Sequence, residues 1–400
     1  MRIGMMADVY KPHVSGITNY ISLNKRHLES QGHEVFVFTF GNEDYPDDET
    51  NVIRSPGLPL LDTGYYFSFR YGPRARRLLH TMDVVHVHHP FLSGSLVLRY
   101  CRPRLIPVVF TNHTRYDLYA QAYLPVLPDM IGETALEAYL PFFCRACDLV
   151  ISPSSGMRDV LRRLGVTTAI EVVPNGVDLS PYRTKIEPVD RSRLGLDQHT
   201  VLMIYVGRLG PEKNLPFLLR SFAGLIQAYD RVGLLIVGDG PERENLEDRI
   251  HRMGLQDRVK LTGMVAYTDV PHYLAAADAF VTASITEVHP LSLIEAMAAG
   301  LPVLGIQSPG IEDIVEDGVT GYLAQSEDLA AFTAKMARLV AEDEKRRQMG
   351  CQARLNAEKY DIEVTTKVMI GYYQQVVEQA SVRKHGFRTR MIRVFDQWRR

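Results

Sequence analysis

The chain has 400 residues, 46% hydrophobic and 23% charged, and its 45 Lys and Arg nearly balance 47 Asp and Glu for a net charge of −2. At about 100–200 residues per domain this length predicts two or three domains; the composition is that of a globular protein, and the charge balance excludes a molecule that binds nucleic acid by its overall charge. No stretch of about 18 apolar residues occurs, and the longest uncharged run, Ala296 to Ile311, is broken by Gly300, Pro302, Gly305 and Pro309, so no membrane-spanning segment is expected.

The start, Met1–Ala7, is too short and too polar at its flanks for a secretory signal and reads as a first strand. Residues 2–7 and 34–40 are apolar runs separated by a helical pattern from Gly16 to Gln31. Strand-like runs recur at 83–87, 106–111, 148–152 and 169–174, with helical patterns near 93–101, 129–146 and 154–164. Pro174-Asn175-Gly176-Val177-Asp178, followed by Pro181, Pro188 and a charged stretch to Asp197, reads as an interdomain linker. The alternation then restarts, with strands at 201–206, 232–237, 259–262, 278–283 and 302–305 and helices near 214–229, 241–253, 291–299, 326–341 and 343–359.

Continuous apolar strands alternating with helices specify an α/β protein whose parallel sheets are covered on both faces. Two doubly wound, Rossmann-like halves of this kind would place ligands at the carboxyl ends of their strands, in a cleft between them. The domains are expected at 1–180 and 181–360, followed by a helix over 361–381 returning to the first domain and a basic tail over 382–400.

The densest chemical signal is Thr286-Glu287-Val288-His289-Pro290-Leu291-Ser292-Leu293-Ile294-Glu295, followed by Ala-Met-Ala-Ala-Gly-Leu-Pro-Val. Glu287 follows a strand, and Glu295 is expected to begin a helix ending at Gly300. A loop feeding a helix start offers unpaired N–H groups and a partial positive charge, and a carboxylate is a two-point acceptor for a vicinal diol such as ribose. Glutamates are ordinarily solvated surface charges; the small-residue helix that follows, suited to tight packing against a strand, argues for more here.

This segment resembles the E-x7-E motif of retaining glycosyltransferases of family 4 (glycosyltransferase group 1), which have the GT-B architecture. The likeness extends along nearly the whole chain. Asp8–Ile17 resembles the family's glycine loop, and His86-Val87-His88-His89-Pro90-Phe91 its fourth strand and loop. Thr111-Asn112-His113-Thr114 resembles its donor-sugar histidine segment, Val173–Asp178 its domain junction, and Val206–Asn214 its diphosphate-binding turn. The resemblance implies that Gly16 lets backbone approach the donor diphosphate, that Arg208 and Lys213 bind it, that Glu295 holds the ribose hydroxyls, and that Glu287 and His113 sit at the donor sugar. Arg208, Lys213, Glu287 and His113 are the implied catalytic residues, and His289 and Leu291 join the donor-binding set. The chain has His289-Pro290-Leu291 where the family commonly has Phe-Gly-Leu. Pro290 has no N–H, which removes one expected donor to the sugar and leaves His289 to supply a side-chain donor in its place.

No cofactor or metal is implied. No D-x-D element occurs, so Arg208 and Lys213 would take the place of a diphosphate-bound metal. His86 and His88 share a strand face, but strand-end packing is preferred over metal ligation. Gly238-Asp239-Gly240 lacks the third glycine of a dinucleotide fingerprint and reads as a sharp turn. Cys144 and Cys147 form a C-x-x-C pair with no second pair or histidines at zinc spacing, so reduced thiols are expected.

The acceptor is argued from charge. Arg383, Lys384, Arg388, Arg390, Arg393, Arg399 and Arg400 face only Asp396, while Phe387, Met391, Val394, Phe395 and Trp398 fall on one helical face. Such a pattern is that of an interfacial amphipathic helix, or of a helix docked on its own protein. A second basic cluster, Arg70, Arg74, Arg76 and Arg77, lies on an expected helix of the first half. That half, including Thr114–Tyr119, also resembles the bacterial diacylglycerol glucosyltransferases and phosphatidylinositol mannosyltransferases.

The expected activity is therefore hexose transfer from a nucleotide sugar, UDP-glucose favoured, to a membrane lipid such as diacylglycerol. The protein would be cytoplasmic, peripheral on the inner face of the cell membrane and attached to anionic lipid, with no nucleic-acid partner and an unspecified oligomeric state. A soluble acceptor, a nucleotide-sugar epimerase and a non-catalytic nucleotide-sugar sensor are the competing readings.

Overall fold

The computed structural model describes residues 1–13, 15–59, 66–116, 118 and 129–398, the side chains of 129–137 and 384–398 excepted. The chain divides into two compact units. The first comprises Met1–Pro153, Met157–Pro174 and the chain from Ile362 onward; the second comprises Ser154–Gly156 and Asn175–Asp361. The second unit thus begins at Asn175, inside the proline–glycine junction, rather than at 181.

The first unit is built on a seven-stranded sheet of order β3-β2-β1-β6-β7-β8-β9. Its strands are β1 (Arg2–Met6), β2 (Glu34–Phe40), β3 (Val52–Ser55), β6 (Val84–Val87), β7 (Val108–Thr111), β8 (Leu149–Ser152) and β9 (Ile170–Val172), all parallel. A short antiparallel pair, β4 (Leu58–Pro59) and β5 (Tyr66–Phe67), stands apart. Ile3, Met5, Val35, Val37, Val84 and Val109 pack with Tyr20, Ile21 and Leu28 of the helix Gly16–Ser30 and with Met369, Tyr373 and Val376 of the last helix. That last helix runs unbroken from Ile362 to Trp398. The expected division into a returning helix and a separate tail is not seen in the backbone, since no proline interrupts it and Gly386 costs a helix only about 1 kcal/mol.

The second unit has a six-stranded sheet of order β12-β11-β10-β13-β14-β15. Its strands are β10 (Val201–Val206), β11 (Val232–Val237), β12 (Val259–Gly263), β13 (Ala279–Val281), β14 (Val303–Ile306) and β15 (Gly321–Ala324), again all parallel. Successive side chains of a strand point to opposite faces, and the core divides accordingly. Met203, Tyr205, Leu234 and Ile236 pack under the helices Leu215–Leu225 and Leu329–Ala341. Leu202, Ile204, Leu235 and Val237 pack under Leu291–Ala298 and Asp343–Ala357.

Each sheet reverses its strand order once, between β1 and β6 in the first unit and between β10 and β13 in the second. At such a reversal the loops leaving two adjacent strands turn to opposite sides and open a crevice at the carboxyl ends. The segments carrying Gly16, Arg208, Lys213, Glu287 and Glu295 follow β1, β10 and β13 at these reversals, while His113 follows β7. Among the described residues, no helix is long and apolar enough to cross a membrane.

Candidate functional site

In the second unit, β10 continues into Gly207–Asn214 and β13 into Thr282–Pro290, bringing two distant segments together. Lys213 Nζ lies 2.7 Å from Glu287 Oε1, with side-chain exposures of 21% and 15%. A residue expected at the diphosphate and one expected at the sugar are therefore each other's ion-pair partners. The Arg208 side chain is half exposed and its one ion-pair contact among the described residues is with Glu212 at 3.8 Å, so its guanidinium is available to an incoming anion.

The turn that carries Arg208 is braced from behind. Tyr205 Oη donates to the Arg208 carbonyl at 3.0 Å, and Leu209 N donates to Asp239 O at 2.9 Å. Gly238 has φ +136° and sits so close that a Cβ would meet Gly207 O at 2.0 Å. The sequence Gly238-Asp239-Gly240 is accordingly a sharp turn, and its glycine permits the contact of two loops.

Glu295 differs from expectation in position. The helix is Leu291–Ala298, so Glu295 lies in its second turn and not at its start. Pro290 takes the N-cap position with an extended φ and ψ, where the missing proline N–H costs no helical bond. Glu295 is 4% exposed, and Tyr267 Oη donates to its Oε1 at 2.5 Å. Burial pushes its carboxyl up to about 7, against the Tyr267 hydrogen bond, which holds it down. Tyr267 had no sequence signal; it stands in a short turn, and its relation to Glu295 spans 28 positions.

The His289 ring is buried edge-on against Tyr360, with centroids 5.1 Å apart, and burial, then Lys359, lowers its pKa to about 3. Asn175 Nδ2 donates to the His289 carbonyl at 2.9 Å, and Gly310 N donates to the Glu287 carbonyl at 3.1 Å. The loop between the two glutamates is therefore fixed at both ends. Leu291 opens the helix.

In the first unit, Gly16 is the first residue of its helix, after Ser15, whose Oγ accepts from Thr18 N at 3.1 Å. A Cβ at Gly16 would meet nothing within 4 Å, so internal packing does not require glycine there. The loop before it is pinned by Glu49, which pairs with Lys11 at 2.5 Å and accepts from Tyr10 Oη at 2.7 Å. Asp8 is buried and accepts from Leu92 N and Ser93 N at 3.3 and 2.7 Å, capping the helix that follows β6. His113 follows β7, partly exposed, with its Nε2 3.0 Å from His88 Nδ1.

Arg74, Arg76 and Arg77 are exposed on the helix Pro73–Leu79. Arg76, Arg77 and Arg104 line an open cavity of about 370 Å³ with Pro73, His80 and Tyr100. The buried Nε2 of His80 has no partner among the described residues, and burial, then Arg104 and Arg76, depresses its pKa. The side chains of Phe387 and Trp398 lie outside the described residues, although the backbone there is helical.

Two family models divide the chain between them: Glycosyltransferase Family 4 matches residues 14–181, and Glycosyl transferases group 1 matches residues 187–356. The chain is similar to the alpha-monoglucosyldiacylglycerol synthase of Streptococcus pneumoniae, 32% identical over 341 residues, 82% of this chain and 77% of that one. The chain belongs to this glycosyltransferase family. A second relative, the alpha-monoglucosyldiacylglycerol synthase of Acholeplasma laidlawii, is 29% identical over 345 residues, 82% of this chain and 86% of its own. Among solved structures, a sucrose-phosphate synthase from Thermosynechococcus elongatus aligns with a TM-score of 0.77 at 22% identity, covering 94% of this chain and 99% of its own. Anabaena HepE in complex with UDP and glucose aligns with a TM-score of 0.75 at 20% identity, covering 94% and 100%. The fold is that of the GT-B glycosyltransferases, two Rossmann-like parallel-sheet domains.

Two measurements follow from this geometry. A buried carboxylate loses acceptor capacity when it protonates, so UDP affinity should fall as pH drops from about 8 to about 6, through the raised Glu295 pKa. Tyr267→Phe removes the bond that holds that pKa down and should move the fall to higher pH; calorimetric affinities that are flat with pH in both proteins would remove Glu295 from the nucleotide site. Gly16→Ala should leave Tm unchanged or slightly raised, because alanine is the better helix former, yet reduce kcat/KM for the donor at least about tenfold if a diphosphate passes there. Unaltered turnover would show that no ligand approaches Gly16.

Proposed function

We propose that this glycosyltransferase is retaining and metal-independent, and that it moves glucose from UDP-glucose to the free hydroxyl of a diacylglycerol-class membrane lipid. The observation that carries the donor half is the placement of Lys213, Glu287 and Arg208 on the two segments that leave β10 and β13, where the strand order reverses. The diphosphate brings more than one negative charge to Lys213 and displaces Glu287, whose carboxylate then accepts a hydroxyl of the sugar. Arg208 supplies a planar fork to the phosphate oxygens, and Lys213 a point charge. Glu295 accepts the ribose diol, Leu291 offers an N–H left free at the helix start, the His289 segment lines the sugar, and Gly16 and His113 complete the donor contacts.

In the reaction, the bond from the anomeric carbon to the phosphate oxygen breaks and charge accumulates on the diphosphate. Arg208 and Lys213 stabilise that charge, an effect realised most fully in the transition state. The acceptor hydroxyl attacks from the face the phosphate is leaving and passes its proton to the departing phosphate oxygen, so configuration is retained. The two cations take the electrostatic role a metal would otherwise fill.

The acceptor half rests on the lipid named in both relatives and on Arg76, Arg77 and Arg104, none of which has an ion-pair partner among the described residues. Cations left unpaired around a shallow hollow suit an anionic membrane surface. With the basic helix ending at Trp398, they would hold the protein peripherally on the inner face of the membrane.

Transfer of labelled glucose from UDP-glucose to diacylglycerol in mixed vesicles should proceed with EDTA present and give the α-anomer. No lipid product, or activity lost to EDTA and restored by magnesium, would refute the proposal. Arg208→Ala and Lys213→Ala should each lower kcat/KM at least about tenfold, since a charge-assisted hydrogen bond contributes about 1.5–3 kcal/mol, with the thermal transition unchanged. For the surface, co-sedimentation with anionic vesicles should exceed that with neutral ones and weaken at high salt. Changing Arg76, Arg77 and Arg104 together to Ala, at about 1 kcal/mol each near an anionic surface, should lower it at least about tenfold. If ending the chain after Ser381 abolishes binding and the triple change does not, the attachment belongs to the last helix alone.

A further inference from the structure

The first unit holds two imidazoles beside His113, those of His86 and His88, that the donor roles above leave unused. His86 and His88 stand two positions apart on one face of β6 and its extension, with ring centroids 4.2 Å apart. His86 is saturated: its Nδ1 lies 2.6 Å from Tyr373 Oη and its Nε2 2.6 Å from Thr111 Oγ1. His88 is fully buried, with its Nδ1 3.0 Å from His113 Nε2. Its own Nε2 is buried and without a partner among the described residues. Tyr20 packs against both rings, at 5.6 Å from His88 and 4.7 Å from His113. Enclosed by His86, His113 and Tyr20, the His88 ring has no room to turn.

Burial, reinforced by the neighbouring imidazoles, keeps His88 and His113 well below the ordinary histidine range. Both rings are neutral, and a neutral imidazole carries one N–H and one lone pair. In the bond between them, one ring donates and the other accepts. If His113 donated, His88 would bury an unpaired N–H on Nε2; if His88 donates, it buries only an unpaired lone pair. Orphaned buried N–H groups are the rarer of the two, so His88 is the donor. His113 then carries its proton on Nδ1, an atom with no partner among the described residues.

We propose that His88 is a positioning residue: through its Nδ1–H it fixes His113 as the Nδ1-protonated tautomer, which presents an N–H to a hydroxyl of the donor sugar. The inference rests on the reading of His113 as a donor-sugar residue. His113 so held is a neutral hydrogen-bond donor and not a general base, and its orientation is set before any ligand arrives.

The test is a long-range proton–nitrogen NMR spectrum of the full chain labelled with ¹⁵N-histidine, with His113 assigned through His113→Gln. The expected spectrum shows His113 protonated on Nδ1 and bare on Nε2; a proton on Nε2 overturns the proposal without any variant of His88. His88→Leu should move the proton to Nε2 and lower kcat about tenfold, the loss of one well-placed hydrogen bond, with KM for UDP-glucose within about twofold. His88→Asn places an amide N–H where the imidazole N–H stood; it should restore the Nδ1-protonated form and most of kcat. An asparagine variant that folds but is as slow as the leucine one, or a leucine variant with an unaltered tautomer, also overturns it. Should the leucine variant fail to fold, the wild-type spectrum and the asparagine variant decide. Titrating UDP-glucose into the wild type separates the two layers: His113 resonances that ignore the donor would remove His113 from the sugar site while leaving its coupling to His88 standing.

Discussion

Parallel hydrogen bonding is the constraint on which the rest of this structure depends. Because all strands of each of the two large sheets run the same way, the strands of a sheet end at the same edge, and every connection that leaves a carboxyl end is available for chemistry. β10 and β13 are hydrogen-bonded neighbours although their sequences lie far apart. That adjacency places Lys213 beside Glu287, which no local rule connects. The same constraint places His113, after β7, beside His88, after β6.

The two glutamates of the E-x7-E motif are chemically unlike. Glu287 faces an ammonium group and is screened from water only in part. Glu295 is buried, faces a phenol, and has a carboxyl raised to about 7. A carboxyl buried beside a neutral donor has its pKa raised by desolvation. One motif thus supplies a carboxylate held by Lys213 and another whose pKa burial raises close to neutral pH.

Much of the fold was legible because apolar runs of strand length alternate with amphipathic helices. The strands 34–40, 201–206 and 232–237 agree with the structure end to end. Val52–Ser55 and Gly321–Ala324 were not foreseen: each is a four-residue strand, too short and too mixed to stand out from its surroundings. The helix expected over 291–299 is found as Leu291–Ala298, but Glu295, expected to begin a helix, lies in its second turn. At the site, residue types were legible and pairings were not. Lys213 with Glu287 and Tyr267 with Glu295 are 74 and 28 positions apart, and only the sheet order connects them. His86 and His88 were foreseen on one face from strand parity, but the Tyr373 hydroxyl that satisfies His86 arrives from 287 residues away.

The last helix makes that long connection more than once. Tyr373 bonds to His86, Tyr372 to Glu171, and Arg383 to Asp148, while Met369, Tyr373 and Val376 share one core with Ile3, Met5, Val35 and Val37. The unit begun by the first residue is therefore finished by residues made after the whole second unit. During synthesis on the ribosome, the second unit has all its strands before the first has its last helix. The earlier unit must wait with part of its apolar surface open, and with His86 lacking its tyrosine, until the end of the chain emerges. Vectorial synthesis thus puts the order of completion opposite to the order of the sequence.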